Sequence, residues 1–401
     1  MKNDFPRVPY GSTVHGEEEI ESVIEVLRNS TQMGPKVELF EQKVASLFEK
    51  KYGLMTNSGS SALYLAMEVV NMPRESEVIT PALTFSTTVA SLVKNGFIPS
   101  FVDVKRNSYC IDVNKIEEKI SKKTKGILAP DLLGNICEWD KIREIADKHD
   151  LLVFQDSADT LGASYKKKST GNFSDLSITS FYGSHVINGA GNGGMLCTSE
   201  KTLYEKTKLL RSWGRSSSIF SDSESIENRF NVKLEGIRYD AKFVFDELGY
   251  QLEPSEISAA FALIQLEKLE HNISLRRKYF DKHMAFFREY EDLFDLPEKT
   301  EGSYSGWLAF PLVLKEKQGI QRKDLQIYLE KKGIQTRTIF TGNILRQPMM
   351  KNMYYKKHKK SYIVSDDVMK NGILIGCHHG LKKNDLYRMA NTFKKFLSRH
   401  K

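Results

Sequence analysis

His185 stands five residues past Ser180 in Ser180-Phe181-Tyr182-Gly183-Ser184-His185, at the end of a β-rich run (176–181), with Gly189, Gly191, Gly193 and Gly194 close behind it. Glycine at that density marks backbone bent where side chains would clash, often beside a ligand. An imidazole at the lip of such a turn is either a structural hydrogen-bonder or a proton carrier, since its unperturbed pKa of about 6.5 suits proton transfer near neutral pH. A carboxylate, Asp156, follows the apolar run Leu151-Leu152-Val153-Phe154. It is either a helix cap or the partner of a protonated heteroaromatic nitrogen. Asn57-Ser58-Gly59-Ser60-Ser61 leads into Ala62-Leu63-Tyr64-Leu65-Ala66-Met67. Small polar residues entering a helix leave outward N–H groups at its positive end, which suits a phosphate, and a plain Ser N-cap reads the same way. Phe85 offers a ring face, and Ser180 a second phosphate donor.

The elements that must bring these residues together are short and alternate. Runs at 77–80, 98–104, 125–130 and 151–154 read as strands, and 85–94, 113–120 and 139–149 as helices. That alternation predicts an α/β fold with a large, mostly parallel sheet covered by helices. Ligands of such sheets sit at the carboxyl ends of the strands, where Gly59, Phe85, Asp156 and Ser180 can converge. Segment 216–228 is serine-rich and without period, which predicts an irregular or mobile loop. Pro254 is a start signal for one long amphipathic helix reaching about residue 290. It links a large domain, 1–253, to a smaller α/β domain within 254–401 that has strands at 307–314 and 335–340 and helices at 322–332 and 382–397.

Composition narrows the class. The 401 residues hold enough chain for two domains, and no apolar run reaches the ~20 residues of a membrane span. The first ten residues lack an apolar core of the signal-peptide kind, so a cytoplasmic protein with no membrane partner is expected. The net charge of +8 is scattered. Its densest patches, 356–360 and Lys394-Lys395, read as solvated faces rather than a nucleic-acid surface, and a modest positive field suits a phosphorylated substrate. The four cysteines, Cys110, Cys137, Cys197 and Cys377, are far apart, which predicts neither a metal site nor a disulfide framework.

Six further motifs occur in order: Thr56-Asn57-Ser58-Gly59-Ser60-Ser61-Ala62-Leu63, Thr80-Pro81-Ala82-Leu83-Thr84-Phe85, Phe101-Val102-Asp103-Val104, Asp156-Ser157-Ala158-Asp159, Ser180-Phe181-Tyr182 and Leu248-Gly249-Tyr250. Together they resemble the sugar-nucleotide aminotransferases of aspartate aminotransferase fold, the DegT/DnrJ/StrS group, from about residue 10 to the C-terminus. The resemblance implies a fold type I pyridoxal phosphate (PLP) enzyme and a homodimer. Gly59, Ser60 and Ser180 would hold the cofactor phosphate, Phe85 would stack on the ring, and Asp156 would face the pyridine nitrogen. Asp159 would lie beside the ring, orienting His185 or the cofactor hydroxyl. Gln251 stands where the family has an Asn that reaches a phosphate across the dimer. Met33, Gly34, Arg215 and Arg337 fall on the substrate side.

His185 occupies the place of the family's Schiff-base lysine. In this the chain resembles the 3-dehydratase branch of the colitose and ascarylose pathways, as it does at Leu132-Leu133-Gly134-Asn135, Ser86-Thr87-Thr88 and Thr341-Gly342-Asn343. Histidine forms no stable Schiff base, so the resemblance implies a noncovalent cofactor, loaded as pyridoxamine phosphate (PMP). His185 would be the acid and base that removes the C3 hydroxyl of a nucleotide-linked 4-keto-6-deoxy sugar. The ascarylose-type enzymes carry cysteines for an iron–sulfur cluster just past the segment resembling Arg211-Ser212-Trp213-Gly214-Arg215. Residues 216–250 contain none, so no cluster is expected and L-glutamate becomes the candidate amino donor. Glu253 replaces an Arg able to grip the donor's carboxylate in the colitose-type enzyme, which leaves that task to Arg215, Arg238 or Arg337. An ordinary aminotransferase, a reductase-coupled dehydratase and a sugar-nucleotide-binding protein without turnover are the alternatives.

Overall fold

The computed structural model describes residues 7–220, 222–316, 319–357 and 361–398. Its centre is a seven-stranded sheet made of β1 (Tyr52–Thr56), β2 (Glu77–Pro81), β3 (Ile98–Val102), β4 (Thr124–Pro130), β5 (Leu152–Asp156), β6 (Leu176–Ser180) and β7 (Gly194–Thr198), in the spatial order β1-β7-β6-β5-β4-β2-β3. β7 runs antiparallel to both neighbours, and the pairs from β6 across to β3 are parallel. Runs such as Val78-Ile79, Ile127-Leu128-Ala129 and Val153-Phe154 are buried, as strands covered on both faces require.

The cover comes from helices that precede and separate the strands in sequence. Two of them, α1 (Glu17–Asn29) and α2 (Pro35–Leu47), precede the sheet in sequence. They are followed by α3 (Gly59–Val69), α4 (Ser86–Lys94), α5 (Trp139–His149) and α6 (Lys201–Arg211). Pro130 pairs with Asp156, and Asp156 with Ile178, so the carboxyl ends of β4, β5 and β6 finish almost level. That levelling puts Asp156 and Ser180 on one rim.

A second, three-stranded antiparallel sheet follows, of Phe294–Asp295, Ala309–Leu314 and Gly372–Gly376. An aromatic core anchors it: Phe287 stacks on Phe310 at 5.6 Å and meets Phe393 edge-on at 4.9 Å.

The structure corrects four sequence expectations. The long helix from Pro254 is two helices, α8 (Glu256–Glu267) and α9 (Leu269–Phe287), hinged at Lys268 with φ −92° and ψ 0°, and Pro254 lies outside, before the N-cap Ser255. The break lets α8 lie against α1 and α2 while α9 turns its apolar stripe toward the second sheet. Residues 335–340 form no strand beyond one bridge, Arg337 to Leu374, because Phe340 takes a left-handed φ of 40° and bends the chain away. Residues 113–120 form two 3-10 turns, Val113–Lys115 and Glu117–Lys119. The serine-rich segment, of which residue 221 lies outside the described residues, contains a 3-10 turn, Ser216–Ile219, and the start of a short helix, α7 (Ile226–Phe230), capped by Ser225 Oγ. Within the basic patch at 356–360, residues 358–360 lie outside the described residues.

Candidate active site

A cavity of about 590 Å³ opens at the carboxyl ends of β4, β5 and β6, and Gly59, Ser60, Phe85, Asp156, Asp159, Ser180, His185 and Arg337 all line it. The end of the cavity at Gly59, where the sequence leads one to expect a phosphate, is built by a close approach. Ser58 Oγ caps α3 by accepting from the N–H of Ser61 at 3.1 Å, and Gly59 begins the helix with Ser180 pressed against it. A Cβ on Gly59 would come within 2.6 Å of Ser180 Cβ, so only glycine fits. With the Ser61 N–H taken by the cap, the N–H groups of Gly59 and Ser60 have no partner within their own helix, and both residues line the cavity together with Ser180.

Asp156 is the floor. Thr88 Oγ1 donates to its Oδ2 at 3.2 Å, and the N–H of Ala158 donates to its Oδ1 at 3.2 Å. Burial raises its pKa from 3.8 to about 6, and those two hydrogen bonds only partly offset the effect. A buried carboxylate with no cationic partner among the described residues fits a protonated ring nitrogen. Phe85, 49% exposed at the N-cap of α4, offers its ring to the same space and meets Phe340 edge-on at 5.9 Å.

His185 is fixed by its turn. Its N–H donates to the carbonyl of Tyr182 at 3.0 Å, and Phe181 anchors the turn in the core against Phe40. The ring's Nδ1 lies 3.0 Å from the carbonyl of Ser180, which can only accept. Nδ1 therefore carries the proton, and Nε2 is left as the basic atom. Nε2 lies 3.6 Å from Asp159 Oδ1, too long for a hydrogen bond, and with the ring neutral the pair is a contact rather than an ion pair. Burial, helped by the charge of Arg276, depresses His185 from 6.5 to about 4. The imidazole is thus a weaker base than its ordinary value suggests, and it is neutral throughout the physiological range. Asp159 moves the other way, to about 7, by burial and by the neighbouring Asp156, while the N–H of Leu133 donates to its Oδ2 at 2.9 Å. Leu133 holds that N–H in place with a left-handed φ of 62°.

The other four site residues lie elsewhere. Met33, Gly34, Arg215 and Gln251 line a second cleft, along with Glu253. There Arg215 packs its guanidinium over the Trp213 ring at 4.8 Å. The N–H of Gly34 is already taken by Glu256, whose carboxylate also accepts from Lys36 and Val37 at the start of α2. Arg337 lies over Tyr10, 5.6 Å from its ring centre, and Tyr10 lines the first cavity. Tyr10 and Arg276 escape the sequence reading. Nothing in the short N-terminal segment signals Tyr10. Arg276 does leave a trace, as a charged residue on the buried stripe Ile273, Arg276, Phe280, Phe287 of α9.

Residues 13–394 match the DegT/DnrJ/EryC1/StrS aminotransferase family. The chain is 33% identical to the lipopolysaccharide biosynthesis protein RfbH of Salmonella typhimurium, over 97% of this chain and 91% of that one. It is 30% identical to the dTDP-4-dehydro-2,6-dideoxy-D-glucose 3-dehydratase of Saccharopolyspora spinosa, over 98% and 87%. Among solved structures, GDP-4-keto-6-deoxymannose 3-dehydratase with a trapped PLP–glutamate geminal diamine superposes with a TM-score of 0.85 at 28% identity, over 96% and 99% of the two chains.

Proposed function

The chain belongs to the DegT/DnrJ/EryC1/StrS aminotransferase family, and from that premise we propose that it is a PLP/PMP-dependent 3-dehydratase of a nucleotide-linked 4-keto-6-deoxy sugar. One observation carries the reading: no lysine is among the described residues lining the cavity that holds Asp156, and His185 faces it instead. The named activities of the relatives support the class, and their different nucleotides, dTDP and GDP, leave the base unassigned.

When bound, the amine form of the cofactor supplies a nitrogen for the sugar's keto carbon and an electron-accepting ring. With that group bound, Asp156 would keep a proton on its ring nitrogen, Phe85 would cover a ring face, and Gly59, Ser60 and Ser180 would hold its phosphate. His185 Nε2 would be the atom that accepts a proton at this site and gives one to the C3 oxygen, so that the hydroxyl leaves as water. The depressed pKa suits the second half of this task, because a weak base has a strong conjugate acid and a departing hydroxyl needs one. Asp159, whose carboxyl burial pushes up to about 7, lies 3.6 Å from Nε2, where it would stabilise the ring once Nε2 takes up a proton.

Gln251, Met33, Gly34 and Arg215 reach the site from a second copy of the chain in this reading. The support is an exposed apolar surface on the segment between Arg215 and Gln251: Ile226, Ile237, Phe243 and Leu248 are each more than half exposed, Leu248 at 94%. L-glutamate is the proposed amino donor, supported by the glutamate adduct in the neighbouring structure. Arg337, inside the cavity, is the cation placed to hold its carboxylate.

The test is product analysis with PLP, L-glutamate and a panel of 4-keto-6-deoxy sugar nucleotides. Loss of the C3 oxygen is expected, and it should disappear in His185→Gln. A 4-amino sugar as the product, or a cofactor fixed to the wild-type chain by borohydride, would sink the proposal. His185→Lys should gain the borohydride-fixed cofactor.

A further inference from the structure

Arg276 is fully buried on α9, and every N–H of its guanidinium has an acceptor. Nη2 donates to the carbonyls of Ser184 at 3.0 Å and His185 at 2.9 Å. Nη1 donates to the carbonyls of Trp307 and Leu308, both at 3.2 Å, and Nε to His379 Nδ1 at 3.1 Å. The five acceptors come from three places: the turn that carries the imidazole, the approach to strand Ala309–Leu314, and the loop after strand Gly372–Gly376. None of them is a carboxylate. A buried charge held by neutral dipoles alone is costly, and a structural tie between the same carbonyls could use neutral donors.

We propose that Arg276 is a positioning residue for proton transfer: it locks the backbone of the His185 turn to the second sheet and places a fixed positive charge behind the imidazole and Asp159. This rests on the reading of His185 as acid and base. The charged and titratable groups around the guanidinium are Asp159, Tyr10, Cys377, His185, His378 and His379. Asp159 is the only carboxylate among them. The cation opposes protonation of His185 and favours the ionised form of Asp159, which as a pure acceptor cannot donate to Nε2 across the 3.6 Å contact. Its fork fixes where Nε2 points, and its charge fixes when Nε2 is free.

Two variants separate geometry from charge. Arg276→Gln keeps some donors and loses the charge, whereas Arg276→Lys keeps the charge and loses the fork. Carbethoxylation of His185 in the full chain, followed by peptide mass spectrometry across pH, reads the neutral fraction of the imidazole without any turnover. In Arg276→Gln the midpoint should rise by about one unit. In Arg276→Lys it should stay in place while kcat for sugar dehydration falls by about tenfold or more at near-constant KM. An unmoved midpoint in folded Arg276→Gln, or a kcat in Arg276→Lys within about twofold of wild type, would overturn the proposal. Failure of both variants to fold would make Arg276 a scaffold residue and overturn it equally. If the wild-type chain dehydrates no sugar, the functional reading fails, and the carbethoxylation midpoints still decide whether the cation acts on His185.

Discussion

Asp156 costs the empty chain stability in order to be useful to a ligand. Its pKa rises on folding from 3.8 to about 6, so the native state holds the proton more tightly than the unfolded state. Stability therefore falls as pH rises through that window. Asp156→Asn removes the cost: by thermal melting, the cofactor-free variant should equal wild type below about pH 4 and exceed it above pH 6, by on the order of 1–3 kcal/mol. The same change should weaken PLP binding by about thirtyfold or more, measured by titration of its absorbance, because a neutral amide gives up a charge-assisted hydrogen bond. At this scale the sequence is informative about identity and silent about environment. Asp156 and His185 are readable as a strand-end carboxylate and a turn imidazole, and Gly59 as a helix start. The depression of His185 to about 4 is not readable, because it comes from burial and from Arg276, 91 residues further along the chain.

At the scale of elements, the site depends on how closely two chain ends approach. The start of α3 and the end of β6 touch at Gly59 and Ser180, and the added Cβ of Gly59→Ala has nowhere to go. Alanine is the better helix former, yet the variant should lose about 1–3 kcal/mol in denaturant unfolding and should bind PLP more weakly as α3 is pushed off the phosphate end. The parallel strands were legible because their apolar runs are short and bounded by turn residues. The hinge at Lys268 was not, since the apolar spacing continues across it and only the tertiary partners change. The same holds for 335–340, where an apolar and β-branched run bends at Phe340 to line a cavity that local propensity cannot register.

For the whole molecule, the division of the candidate site residues between two clefts is the main geometric fact. Eight line one cavity, and Met33, Gly34, Arg215 and Gln251 line the other. A twofold assembly of identical chains would bring one cleft of each copy to the other's cavity. Sedimentation should then give a mass of about twice 45.9 kDa. Leu248→Glu, which places a charge on a side chain 94% exposed in the single chain, should dissociate the assembly and abolish dehydration while leaving the melting temperature of the monomer close to that of its isolated fold. No helix among the described residues is long and apolar enough to cross a membrane.

Glu256 has a consequence for how that second cleft can be used. A fresh helix start usually draws negative ions, but the first turn of α2 already has a carboxylate lodged on its amides at Gly34, Lys36 and Val37. Under the proposed function, an incoming nucleotide diphosphate would meet like charge there and would be drawn to Lys208 and Arg215 of the same cleft, since Lys242 is paired with Glu224. The proposed sugar nucleotide would therefore favour the orientation that keeps its phosphates away from Glu256 and beside those two cations.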